Sequence, residues 1–408
     1  MVSSVFSSFE PRTPIEVAGL LAEIHNDPSE KKVDLLSGAY RTEEKKPWVL
    51  PVVRKTEIML ANDGNTYHEY GHFLGSTEFN SAATSFLLGK ESIAIKEERT
   101  LSVQTLGATG ALSIGARFLR QCLGRTHFYL SDPCWEFHEA LFMQAGFVQS
   151  SRYRYWNAEK RCIDMDGLME DLSKAEPYSV VLLQTCAHNP TGCDPTPEQW
   201  AKIASLMRKN KLFPFLDMAY QGFASGDIGE DAEVVRYFVD QGFEFMCAQS
   251  FSKNFGLYGQ RAGSLTIVSN CAHTIPHIIS EMILIAGGNY MVPPLHGSRI
   301  VATVLNDPAL FQEWERCVKT MFDRIIAMRT GLKKRLETLK TPGSWDHITS
   351  QRGMFCFIGL APAQIEYLRK KHHVYTLKNG RMNVAGLTTT NLDHVARSIH
   401  DAVLNVKG

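Results

Sequence analysis

Five short runs of apolar, β-branched or aromatic residues recur through the middle of the chain: THFYLSD (126–132), SVVLLQTC (179–186), FPFLDMA (213–219), FEFMCAQS (243–250) and AGSLTIVS (262–269). Their length and near-continuous apolar character are those of strands buried on both faces. Between them the spacing changes to three and four, as in TGALSIGARFLRQCL (109–123) and PEQWAKIASLMRKN (197–210), which predicts helices. Alternation of this kind builds a largely parallel α/β sheet, whose ligands bind at the strand carboxyl ends. After Asn306 the pattern shifts. Pro308 opens a long amphipathic helix, then come short strands and a final helix after Thr390. The expected division is an N-terminal arm with part of the small domain (1–45), a large domain (46–305) and a small C-terminal domain (306–408). The arm is too short to fold alone and is expected to pack on the C-terminal lobe.

Composition narrows the choices. A chain of 408 residues exceeds one ordinary core, and 43 basic side chains balance 43 acidic ones. No charge excess is available for a phosphodiester backbone or an anionic membrane, so neither nucleic acid nor membrane is an expected partner. The nine cysteines are scattered and never spaced as CxxC, which points away from a disulfide framework or a metal site and toward a reducing compartment. The first 25 residues lack an apolar signal core and carry acids that a transit peptide avoids, so the expected location is cytoplasmic.

The candidate chemistry sits where the strand runs end. Lys253, in SFSKNFG after FEFMCAQS, is on local grounds either a solvated surface lysine, the usual fate of a lysine after a strand, or one delivered into a partly dry pocket, where desolvation frees the amine for bonding to an aldehyde. Ser250 and Ser252 beside it offer hydroxyls to a phosphate. Asp217 closes FPFLD and Tyr220 follows three residues later. A carboxylate there suits a pyridinium nitrogen and a phenol suits a ring oxygen, although a capping aspartate and a core tyrosine fit the same motif. HNPTG (188–192) is a turn on local grounds and leaves the Asn189 amide free to donate. GATGAL (107–112) opens a helix with small residues; taken alone it serves equally as an anion site or as close helix packing. It is not the GxGxxG of a dinucleotide fold. Arg261 and Arg381 are the arginines best placed for anions, and Trp135 is suited to stack on a ring or simply to fill core.

Taken together, SFSKNFGLYGQRAG, CAHNPTG, FLDMAYQGFASGD, GATGAL, NTYHEYG, DPCWEFH and NGRMNVAGLTT resemble the aspartate aminotransferase family, especially its cytosolic animal branch, essentially end to end. The resemblance implies a fold-type I transferase dependent on pyridoxal 5'-phosphate (PLP), with a large, mostly parallel-sheet domain and a smaller α+β domain. It implies that Lys253 bonds the cofactor and shuttles the proton, that Asp217 pairs with the pyridinium nitrogen, that Asn189 and Tyr220 bond the ring oxygen, and that Trp135 stacks on the ring. Gly107, Ala108, Thr109, Ser250, Ser252 and Arg261 would surround the phosphate, with Tyr70 reaching it from the neighbouring subunit of a homodimer. Gly38, Trp135, Asn189 and Arg381 would face an amino acid or 2-oxo acid substrate, Arg381 clamping its α-carboxylate. The implied reaction is L-aspartate plus 2-oxoglutarate to oxaloacetate plus L-glutamate.

The chain departs from that pattern on the substrate side. Gly287 falls where the family's second, distal arginine is expected, and no arginine occurs between Arg261 and Arg299. Ser37 and Phe137 stand where valine and asparagine are expected, and Ala108 replaces a glycine. These changes suggest a roomier, less charged pocket. The alternatives are transamination of neutral or aromatic amino acids, and a PLP-binding dimer with little turnover.

Overall fold

The computed structural model describes residues 4, 6, 7 and 15–407. Its centre is a seven-stranded sheet in the spatial order 100–106, 262–268, 245–250, 213–218, 180–184, 127–132, 149–154. Six strands run parallel; Ala262–Val268 alone opposes its neighbours on both sides. Only residues 251–261 separate it from Phe245–Ser250, too few for the crossover that a parallel neighbour needs.

Side chains alternate across the sheet, and both faces are buried. Phe215, Met246, Ala248 and Leu265 belong to one apolar cluster, whereas Leu216, Cys247 and Tyr129 belong to the other. Each fully covered Leu or Phe contributes roughly 1.5–3 kcal/mol, which is why these runs are so apolar. The Gly107–Gln121 helix presses on this sheet so closely that a Cβ at Gly115 would lie 2.6 Å from the Phe215 ring.

The 31-residue helix Pro308–Thr338 starts under a cap: Asp307 Oδ1 accepts from the backbone N–H of Ala309 (2.8 Å) and Leu310 (3.0 Å), and Pro308 occupies the first turn. Two buried side chains on it reach toward the strand ends. Trp314 Nε1 donates to the Asn254 carbonyl at 2.8 Å, and Arg329 donates to the carbonyls of Ile348 (2.7 Å), Gly353 (2.8 Å) and Phe355. Near the other end of the chain, Val33 and Asp34 pair in parallel with Val374 and Tyr375, and Leu20 and Leu36 pack on Tyr375 and Leu377. Among the described residues no helix is long and apolar enough to cross a membrane.

Candidate active site

The carboxyl ends of the parallel strands converge on a cavity of about 230 Å3. Strand pairing alone sets part of its floor, because Gln184 lies opposite Asp217 and Asp217 opposite Ala248. Ala108, Thr109, Trp135, Asn189, Asp217, Tyr220, Ser250, Ser252, Lys253, Arg261, Arg381 and Gly38 all line this space. Gly107 lies just behind it, its left-handed φ of +69° bringing the backbone against the Arg261 guanidinium, where a Cβ would stand 2.5 Å from Nη2. Tyr70 is apart from the cavity and 73 % exposed. Larger clefts of about 630, 600, 540 and 340 Å3 lie elsewhere and contain none of these residues.

Lys253 Nζ sits 4.8 Å from the centre of the Tyr220 ring. Burial pushes its ammonium down to about 8; Asp217 pulls the other way, and Arg261 adds to the depression. Asp217 is 6 % exposed, and its Oδ1 has no hydrogen-bond partner. Its Oδ2 lies 3.1 Å from Nε2 of the buried His138. The Tyr220 hydroxyl is raised by burial, so the phenol keeps its proton.

At the opposite wall Arg261, itself at φ +53°, donates to Ser252 Oγ (3.2 Å) and to the carbonyls of Tyr258 (2.9 Å) and Leu106 (3.1 Å). Its guanidinium therefore joins the serine turn to the start of the Gly107–Gln121 helix, where the Gly107 N–H donates to the Arg261 carbonyl (3.1 Å) and the N–H groups that follow it are left to an anion. Arg381, 6 % exposed, is held by the Leu36 carbonyl (2.8 Å) and Asn189 Oδ1 (3.4 Å) over the Phe355 ring. Its buried Nε is unpartnered.

Three cations and two carboxylates, Asp217 and Glu136, thus share one small cavity. The excess of positive charge, the open helix N-terminus and the orphaned Asp217 Oδ1 fit a ligand with a phosphate at one end, a protonated ring nitrogen beneath and a carboxylate near Arg381. PLP carrying an amino acid has that distribution.

Sequence reasoning did not single out His138, Glu136 or Gln184. His138 and Glu136 flank the indicated tryptophan in DPCWEFH, and Gln184 ends an indicated strand. Proximity to marked residues was their only signal.

A sheet of this order with lysine, aspartate and two arginines at its carboxyl edge defines a fold-type I aminotransferase. The sequence profile described as "Aminotransferase class I and II" matches residues 30–399. The cytoplasmic aspartate aminotransferase of Gallus gallus is 50% identical, with all of both chains covered. Among solved structures, the cytoplasmic aspartate aminotransferase of Saccharomyces cerevisiae superposes with a TM-score of 0.96 at 38% identity, covering 99% of each chain. An aromatic-amino-acid aminotransferase from Burkholderia pseudomallei, covalently bound to pyridoxal phosphate, superposes with a TM-score of 0.95 at 37% identity, over 98% of this chain and 100% of that one. The chain belongs to the aspartate aminotransferase family, within the class I PLP-dependent aminotransferases.

Proposed function

We propose that this protein binds PLP at Lys253 and transfers the amino group of L-aspartate to 2-oxoglutarate, giving oxaloacetate and L-glutamate, in the cytoplasm. The observation that carries this reading is the convergence of Lys253, Asp217, Arg261 and Arg381 on one cavity of about 230 Å3. Bound PLP supplies an aldehyde that takes up the amino group and a ring that withdraws electrons from the substrate α-carbon.

The protein's own groups do the rest. Asp217 keeps the ring nitrogen protonated, and Asn189 and Tyr220 donate to the ring oxygen. Gly107, Ala108, Thr109, Ser250, Ser252 and Arg261 hold the phosphate, and Trp135 covers the ring. Arg381 grips the substrate α-carboxylate beside Gly38, which fixes the α-carbon within reach of Lys253. With a pKa near 8, the Lys253 amine takes a proton at the α-carbon and returns it without strong bias either way.

We further propose a homodimer in which Tyr70 of each chain completes the other's phosphate site. The exposed Tyr67, Tyr70, Phe73 and Leu284 side chains give such an interface apolar surface. The boundaries 1–45, 46–305 and 306–408 are proposed as the arm, large domain and small domain. A second reading, transamination of neutral or aromatic donors, is favoured by Gly287, where the distal arginine is missing and the nearest side chain is Phe73.

The test is a panel of amino donors with the PLP-loaded protein and 2-oxoglutarate, following glutamate formation. Fastest turnover with aspartate supports the first reading and fastest turnover with phenylalanine or tyrosine the second. Lys253→Ala must abolish either, and glutamate formation surviving that change defeats the proposal.

A further inference from the structure

The turn that carries Asn189 into the cavity is held at two places. At residues 187 and 188, Asp194 accepts from the backbone N–H groups of Ala187 (2.7 Å) and His188 (3.0 Å), and the buried His188 ring is fixed between Ser131 Oγ and Thr191 Oγ1, each at 2.9 Å. At Asn189 itself the contact is a single side chain. Gln184 Oε1 accepts from the Asn189 backbone N–H at 2.9 Å, and Gln184 Nε2 donates to the Asn189 carbonyl at 3.0 Å.

Gln184 is the last residue of the Val180–Gln184 strand, is 7 % exposed, and has Asp217 as its register partner. The sheet therefore fixes its backbone, and its amide carries that rigidity on to Asn189. Both main-chain groups of Asn189, a residue only 6 % exposed, depend on this amide, because a buried N–H or carbonyl without a partner is costly. The Asn189 side chain in turn accepts from Arg381 Nη1 at 3.4 Å through Oδ1, which leaves Nδ2 as its donor.

We infer that Gln184 is a positioning residue: it fixes Asn189 so that one side-chain amide both steadies Arg381 and donates to the ring oxygen of bound PLP. The inference rests on the cavity being the transaminase site. A donor at that oxygen stabilises its negative charge and so favours the cofactor form that has lost its proton. Freeing Asn189 therefore raises the pH at which the absorbance of the PLP-loaded protein changes.

The experiment compares absorbance titrations of the PLP-loaded parent, of Gln184→Met, which keeps the side-chain length and removes the amide, and of Asn189→Ala. Gln184→Met raises the midpoint by about one pH unit, the scale of one hydrogen bond to a charged group. Asn189→Ala raises it at least as far, and Gln184→Met added to Asn189→Ala moves it no further, because Gln184 acts through Asn189. A midpoint at the parent value in Gln184→Met, or a shift that adds to that of Asn189→Ala, overturns the inference. Gln184→Asn, one methylene shorter, breaks the same clamp and takes the place of Gln184→Met if that variant does not fold. Hydrogen exchange of the purified full chain supplies a readout that needs no turnover: the amides of residues 187–189 exchange about ten-fold faster in Gln184→Asn, the scale of one lost hydrogen bond, while those of Phe213–Met218 keep the parent rate. Equal exchange at 187–189 in both proteins overturns the inference. Faster exchange there in a protein that takes up no PLP at Lys253 defeats the transaminase reading and leaves the clamp on Asn189 standing.

Discussion

Asp217 Oδ2 and His138 Nε2 stand 3.1 Å apart, both buried, while Asp217 Oδ1 is unpartnered on the cavity side. Burial alone would make His138 less basic, but its interactions with Asp217 and Cys134 outweigh that and its pKa is raised. The His138 ring thus holds Asp217 Oδ2 in place and leaves Oδ1 for a cationic ring nitrogen. Replacing His138 by Ala leaves a buried carboxylate oxygen bare and should cost about 1–3 kcal/mol of unfolding free energy. Because the folded pKa is raised, the stabilisation is complete below the unfolded value near 6.5 and fades as pH rises through the folded value. Urea titrations of wild type and His138→Ala should accordingly differ more at pH 6 than at pH 9.

Lys253 predicts a second pH dependence, in PLP uptake by the cofactor-free protein. Only the free amine attacks an aldehyde, and burial has brought Lys253 to about 8. The rate of PLP incorporation, read by absorbance, should rise about ten-fold between pH 7 and pH 9, following the free-base fraction. Asp217 opposes the depression, so Asp217→Ala should move the profile to lower pH. A profile that stays flat from pH 7 to 9 contradicts the assignment.

The same physics decides what the sequence displays. Phe213–Met218 and Val180–Gln184 are covered on both faces, so their apolar runs mark them plainly. Thr100–Leu106 escapes notice because its sequence TLSVQTL carries buried Ser102, Gln104 and Thr105, which find partners in neighbouring elements. Gln149–Arg154 lies at the sheet edge, and its QSSRYR sequence reads as loop. The orientation of Ala262–Val268 is not encoded in its own residues at all; the short 251–261 connection encodes it. Lys253, Asp217 and Arg381 are legible because chemistry limits which side chains can serve at strand ends. His138 meets Asp217, and Glu136 comes into the field of Arg381, only through tertiary packing that no local pattern announces.

Gly287 offers a direct gain-of-function test. A Cβ built there meets the Phe73 ring at 3.4–3.5 Å, an ordinary contact, so a larger residue is admissible. The position lies inside the Ile275–Tyr290 helix, where replacing glycine also removes up to about 1 kcal/mol of backbone entropy cost. In the proposed dimer, Gly287→Arg should raise the kcat/KM ratio of aspartate over phenylalanine at least about ten-fold, the scale of a buried charge pair, without loss of thermal stability. If the ratio stays where it was, position 287 does not face the substrate.

Trp314 ties the long helix to the lysine turn. Its indole Nε1 donates to the Asn254 carbonyl at 2.8 Å, one residue from Lys253, and its ring stacks on Phe255 with centroids 4.8 Å apart. Trp314→Phe keeps most of the packing and removes the donor, leaving a buried carbonyl unpaired at a cost of about 1–3 kcal/mol. Trp314→Ala also opens a cavity and should cost about 3–5 kcal/mol. The kinetic consequence differs from simple destabilisation. Arg381 and Asn189, which would hold the substrate, are anchored elsewhere and should keep KM near its parent value in Trp314→Phe. The proton shuttle at Lys253 loses a fixed backbone, so kcat should fall at temperatures where the variant is fully folded. A fall in kcat that vanishes once the unfolded fraction is subtracted would show the indole bond to be structural only.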